Sequence, residues 1–293
     1  MIRSAALLLT LSVLVPACAQ NRNDSASVKA DTLGAASRRA ADTTTGMTGA
    51  ASEEEFKALH QLTKEQAPPA RGVDVEIAGS RAYLSVPRNA QPPYPGLIVI
   101  HEWYGLNDHI RHWADRLADD GYAALAVDLY AGRIADNPDS AMAYMKSVNE
   151  ERSWEVLQGA YRFLAEDPRV AATRRGTIGW CFGGGWSLQC ALTFPDLDAC
   201  VIYYGRLVTT PSAYEKVKAP IFGVFGNQDG SINPEMVDQF EKALQEANVR
   251  HEIHRYDANH AFANPSAANY NEAAASDAWQ KARTFLAKYL KQG

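Results

Sequence analysis

The stretch "GWCFGGG" (residues 179–185) ends an apolar run, "RGTIGW" (175–180), and leads into an apolar segment, "WSLQCALTF" (186–194). A buried strand, a glycine-rich corner and a helix are the parts of a nucleophile elbow, the sharp turn that lifts one side chain clear of the backbone. With Ser at 181 the spacing Gly179-x-Ser-x-Gly183 would be the familiar form. Here the position holds a thiol. In a chain with 20 glycines the spacing alone decides little, so its surroundings must.

Working outward, "GLIVIHEW" (96–103), "YAALAVDLY" (122–130), "ACVIYYG" (199–205) and "PIFGVFG" (220–226) are further continuous apolar runs, as expected of strands buried on both faces. "RHEIHRYD" (250–257) reads as another strand, and "VDVEIAG" (73–79) with "RAYLSVP" (81–87) as a hairpin turning at Gly79-Ser80. Between the strands lie helical patterns. Ile110, Trp113, Ala114, Leu117 and Ala118 share a face, capped by Asn107 or Asp108. Pro234 opens a helix capped by Asn233, and Ala278, Trp279, Ala282, Phe285, Leu286 and Tyr289 line the last one. Strands alternating with amphipathic helices predict an α/β fold: a mostly parallel twisted sheet with helices on both faces.

Functional groups in such sheets stand beyond the carboxyl ends of the strands. There the chain places Glu102 and Trp103, then Cys181, then Asp229, then His260. Cys…Asp…His is the chain order of an elbow-type triad with Cys in place of Ser. Cys181 would be the nucleophile, activated by the helix N-terminus. His260 would carry the proton and Asp229 would hold its tautomer. The backbone N–H groups of Trp103 and Phe182 would form the oxyanion hole. Cys190 and Cys200 read as buried thiols. Cys190 lies about 13 Å along the predicted helix from Cys181, beyond the roughly 7 Å a disulfide spans, whereas a Cys190–Cys200 pair stays open. The histidines suggest no metal site: His101-Glu102 lacks a second His four positions on, and His251 and His254 point to opposite faces of a strand. No cofactor is expected.

The net charge of −5 offers no basic patch for nucleic acid. Residues 1–19, with Arg3 before an apolar run from Ala5 to Val15, read as a signal peptide. "LVPAC" (14–18) resembles a lipobox that would lipidate Cys18; ordinary cleavage after Ala19 is the alternative. Residues 20–52 are small and polar, a flexible tether, with a short surface helix expected within 53–67 and the folded domain from about 69 to 293. The expected product is an exported, membrane-anchored monomer in the periplasm or cell envelope.

Taken together, "HEWYGLN" (101–107), "VDLYAGR" (127–133), "GWCFGGG", "YYG" (203–205), "GNQD" (226–229) and "HAFANP" (260–265) resemble the dienelactone hydrolase family of the α/β-hydrolase fold, over residues 70–290 or so. The resemblance implies hydrolysis of a small ester or enol-lactone through a thioester on Cys181. It implies that Glu102 hydrogen-bonds the resting thiol and helps generate the thiolate. It also implies two arginines that grip a substrate carboxylate. Arg133 answers to the first, one residue late, while Asn264 stands near the second and is not basic. A non-catalytic binding lipoprotein and an acyltransferase are the alternative functions for such a chain.

Overall fold

The computed structural model describes residues 46–63 and 65–292, together with Met1. Residues 2–19 of the expected signal peptide, Cys18 among them, and most of the expected tether lie outside the described residues. Eight strands form one sheet: β1 (Val73–Ile77), β2 (Ser80–Ser85), β3 (Gly96–Ile100), β4 (Ala123–Val127), β5 (Arg175–Trp180), β6 (Ala199–Tyr203), β7 (Ile221–Gly226) and β8 (His251–Tyr256). Their order is β1-β2-β4-β3-β5-β6-β7-β8. The β1–β2 and β2–β4 pairings are antiparallel and the other five are parallel. The first hairpin turns at Ala78-Gly79, both at positive φ, one residue earlier than the sequence suggests.

Among the described residues, seven α-helices accompany the sheet: α1 (Glu53–Leu59), α2 (Asp108–Asp119), α3 (Pro138–Lys146), α4 (Glu150–Glu166), α5 (Phe182–Thr193), α6 (Pro234–Glu246) and α7 (Glu272–Leu290). The continuous apolar runs now have their cause. Leu97 and Val99 join one core with α2 and α7, while Ile98 and Ile100 join the other with α4, α5 and α6. Successive side chains of a strand point to opposite faces, so a strand covered on both sides must be apolar throughout. The caps fall where expected: Asn107 Oδ1 accepts from Ile110 N–H at 3.2 Å, and Asn233 Oδ1 from Met236 N–H at 3.0 Å. Cys190 and Cys200 are buried free thiols.

The largest departure from expectation is at the N-terminal side. The helix expected within 53–67 lies at the surface, with most of its residues exposed, but it is anchored. It stops at Leu59, and it buries Phe56 and the following His60. Ser52 and Glu55 close a capping box at its start. Residues 46–63 form a strap across the carboxyl end of the sheet. Ala50 N–H donates to Ser231 O at 2.8 Å, and Ser231 Oγ donates to Thr48 O at 2.7 Å. Thr63 N–H donates to Ser266 O at 2.7 Å, and Ala268 N–H to Gln61 O at 2.8 Å. The strap is therefore clipped to the loop after β7 and to the loop after β8. Patterning missed the attachment because a seven-residue helix that buries one side chain, Phe56, makes a weak amphipathic signal.

The elbow after β5 sets a packing limit that can be tested. A Cβ on Gly183 would stand 2.2 Å from the Ile100 carbonyl oxygen, far inside contact distance. Gly183→Ala should therefore lower unfolding free energy by about 1–3 kcal/mol or more, read as a lower midpoint in urea. An unchanged midpoint would mean that β3 and α5 are not pressed together there.

Candidate active site

Cys181 sits between β5 and α5 with φ 52 and ψ −115, a conformation that side-chain-bearing residues rarely adopt. The surroundings hold it there. Its N–H donates to Tyr203 O at 2.9 Å, and its carbonyl accepts from Gly185 N–H at 3.2 Å. A Cβ on Gly179 would fall 2.1 Å from Gly183 O, so the two backbones can meet only because residue 179 is glycine. The result presents Sγ at the N-terminus of α5.

The loop after β7 brings Asp229, whose Oδ1 accepts from the N–H groups of Ser231 at 2.7 Å and Ile232 at 2.9 Å. Its Oδ2 pairs with His260 Nδ1 at 2.7 Å. A carboxylate only accepts, so Nδ1 carries the proton and Nε2 keeps its lone pair. That Nε2 is buried without a hydrogen-bond partner among the described residues. Burial opposes charge on His260, but the charge of Asp229 and, once it ionises, that of Cys181 outweigh it and hold the imidazole of the ion pair well above its ordinary value, so Nε2 is free only while the thiol keeps its proton. Burial pushes the Cys181 thiol up, as does Glu102, while His260 and the Phe182 N–H pull it back.

A second imidazole completes the cluster. His60 Nε2 lies 3.2 Å from Cys181 Sγ, and His60 Nδ1 lies 2.7 Å from the Phe56 carbonyl. A carbonyl cannot donate, so Nδ1 carries the proton and Nε2 accepts from the thiol. Burial and the neighbouring His260 keep His60 well below its usual range, hence neutral, against the opposing pull of the Phe56 carbonyl. The Tyr104 hydroxyl donates to the His60 carbonyl, and Phe56 meets Trp103 edge-on at 5.1 Å.

Glu102 is buried beside the site but bonded elsewhere. Tyr204 Oη donates to its Oε1 at 3.3 Å, and Asn264 Nδ2 donates to its Oε2 at 2.5 Å. The contact to the thiol that the resemblance implies for Glu102 is made here by His60. Burial raises the Glu102 carboxyl to about 7, against the lowering effects of His260, Tyr204 and Asn264.

A cavity of about 150 Å3 opens on Cys181 and His260, walled by Phe56, Phe182, Trp186 and Tyr204 with Arg206 as its cation. Arg133 is not in it. That side chain faces a separate cleft, with Nε donating to Tyr130 O at 2.9 Å and NH2 to Ser147 Oγ at 3.0 Å. Its expected place in substrate binding gives way to these bonds. Asn264 is no vacant arginine position either: besides Glu102, it accepts from Ser266 N–H at 2.8 Å and Ser266 Oγ at 2.7 Å. Of the residues the sequence reading missed, Tyr204 and Arg206 follow β6 and could have been found by the strand-end rule. His60 had only its i, i+4 spacing from Phe56.

A strained strand-to-helix elbow under a buried Asp–His pair, on this sheet order, defines a hydrolase of the α/β-hydrolase class. The dienelactone hydrolase family profile matches residues 80–290. The chain belongs to that family. It is 35% identical over 219 residues to "Protein usf" of Aquifex pyrophilus, covering 72% of this chain and 94% of that one. It is 33% identical over 220 residues to a protein of Aquifex aeolicus named "Putative carboxymethylenebutenolidase", with the same coverage. The crystal structure titled as a "Putative Dienelactone Hydrolase" from Klebsiella pneumoniae superposes with a TM-score of 0.67 at 28% identity, over 77% of this chain and 100% of that one.

The Glu102 carboxyl makes stability depend on pH in a definite sense. A group raised from 4.5 to about 7 by folding binds its proton more tightly in the native state. Its contribution is full below about 4.5 and is lost as pH rises through about 7. Glu102→Gln, neutral throughout, should therefore gain thermal midpoint over the wild type on going from pH 5 to pH 8. A difference that stays constant between those two pH values would show that Glu102 does not titrate in this range.

Proposed function

We propose that this enzyme hydrolyses small esters or lactones by a Cys181–His260–Asp229 triad through a thioester. The observation that carries the reading is the buried 2.7 Å Asp229–His260 pair, which leaves a lone pair on His260 Nε2 beside the elbow thiol. In the resting state the S–H donates to His60. On substrate binding His260 takes that proton and the thiolate attacks the carbonyl carbon. The oxyanion is met by the N–H groups of Phe182, at the free N-terminus of α5, and of Trp103. His260 returns the proton to the leaving oxygen, the thioester forms, and a water deprotonated by His260 releases the acid.

The cavity supports an apolar or unsaturated acyl group, with Arg206 available to a carboxylate. Glu102 acts as a positioning residue: through Asn264 it fixes the loop that carries His260. The leader supports export with a lipid on Cys18, and Cys18→Ala should then move the protein from the membrane to the soluble fraction.

The tests are kinetic. Cys181→Ala should abolish hydrolysis of p-nitrophenyl esters while its circular dichroism matches wild type; activity within about threefold of wild type would sink the triad. His260→Ala and Asp229→Asn should each lower kcat by roughly 10² or more, and the double variant should be scarcely worse than the more damaging single one. Multiplicative losses would show that the pair does not act as a unit. Arg206→Gln should raise KM for a carboxylated lactone by about tenfold and leave a neutral aromatic ester within twofold, since a desolvated charge-assisted bond contributes roughly 1.5–3 kcal/mol. Equal effects on both substrates would remove Arg206 from carboxylate recognition.

A further inference from the structure

The cluster at the elbow holds more donor capacity than ester hydrolysis needs. A triad requires one imidazole at the thiol, and here there are two. Cys181 Sγ and one ring nitrogen each of His60 and His260 all lie within 4.8 Å of one another. With both Nδ1 atoms committed, to Phe56 O and to Asp229 Oδ2, the lone pairs that remain are the two Nε2. His60 and His260 are 5% and 1% exposed, and His260 Nε2 has no hydrogen-bond partner among the described residues. A backbone carbonyl or a carboxylate behind the ring is the partner that metal-bound imidazoles usually keep, because it fixes the tautomer and aims the free nitrogen.

A thiolate and two imidazoles form a borderline-soft donor set that suits Zn2+ and repels Mg2+ and Ca2+, which want oxygen. Tetrahedral bonds to two nitrogens and a sulfur require donors about 3.3–3.6 Å apart. The His60–Cys181 edge is 3.2 Å, so closing the set asks for an adjustment of about an ångström by one ring. Cys181 and His260 line the cavity, which would supply a water or a small anion as the fourth ligand.

We propose that Cys181, His60 and His260 form a reversible site for a thiophilic divalent cation, Zn2+ above all, and that its occupation switches the hydrolase off. The inhibitory meaning rests on the triad reading; the binding does not. On binding, an S–Zn bond replaces S–H and one proton leaves for solvent, with no change of oxidation state. The bound sulfur is no longer a free nucleophile, and His260 Nε2 is no longer a base. The third ligand comes from the strap, outside the residues 80–290 that match the family, so this site belongs to the strap-bearing chain and not to the family core.

The test uses the full chain, stripped with a chelator and titrated by calorimetry with Zn2+ and by absorption with Co2+. One equivalent of each should bind, Zn2+ with a Kd in the micromolar range or tighter. Co2+ should show the near-ultraviolet thiolate charge-transfer band and the visible bands of a tetrahedral centre. Mg2+ and Ca2+ should not bind. His60→Ala, and His60→Asn as a milder change, should each weaken Zn2+ binding by tenfold or more; alkylating Cys181 with iodoacetamide should abolish it. Zn2+ should inhibit ester hydrolysis in parallel with occupancy, and chelator should restore it. No binding to folded wild type at 100-fold excess Zn2+, or an unchanged Kd in both folded His60 variants, would overturn the site. Binding without loss of esterase activity would overturn the switch. Failure of the triad would show separately, as activity surviving in Cys181→Ala.

Discussion

The backbone at Cys181 is the constraint on which the site depends. A left-handed φ at a residue with a side chain costs free energy of order 1–3 kcal/mol, and persists only where the surroundings leave no alternative. Here the Tyr203 carbonyl fixes the N–H, and the backbone at Gly179 is pressed against that of Gly183. The strain has a geometric product. It turns the sulfur out of the sheet and toward the loops after β7 and β8, and places the next N–H at the open end of a helix.

What the elbow presents, the loops and the strap meet with two imidazoles of fixed tautomer. They differ in what stands behind them. Asp229 puts a buried negative charge behind His260 and makes it the better proton acceptor, whereas a neutral carbonyl stands behind His60 and burial keeps it uncharged. On the proposed triad, one ring would carry a proton through the catalytic cycle, while the other would hold the thiol proton at rest. Glu102 stands outside this exchange, engaged by Tyr204 and Asn264, and its protonation bears on the loop that carries His260.

The sheet and the strand-end residues were legible because they obey local rules. Apolar runs of five or six residues declare strands buried on both faces, and whatever follows such a strand lies at the same edge of the sheet. That is how Cys181, Asp229 and His260, far apart in the chain, could be gathered by reading alone. Arg133 shows where the rule stops. A position in a motif does not say which way a side chain turns, and Tyr130 O and Ser147 turn this one aside. His60 shows the other limit. Its contact with Cys181 spans 121 positions and depends on hydrogen bonds from the strap to two loops, none of which leaves a periodic trace in sequence.

The strap's attachment has a further consequence. Thr63 is bonded to Ser266, and Arg71 is held by Asp115 and Asp119, so only residues 64–70 span the interval between two anchored points. A connection that short keeps Phe56 and His60 at an effective concentration of about millimolar or more around the surface they cover. The wall of this cavity behaves as a ligand that cannot diffuse away. Dilution never removes it, and a free molecule seeking the same surface must match that local concentration to displace it.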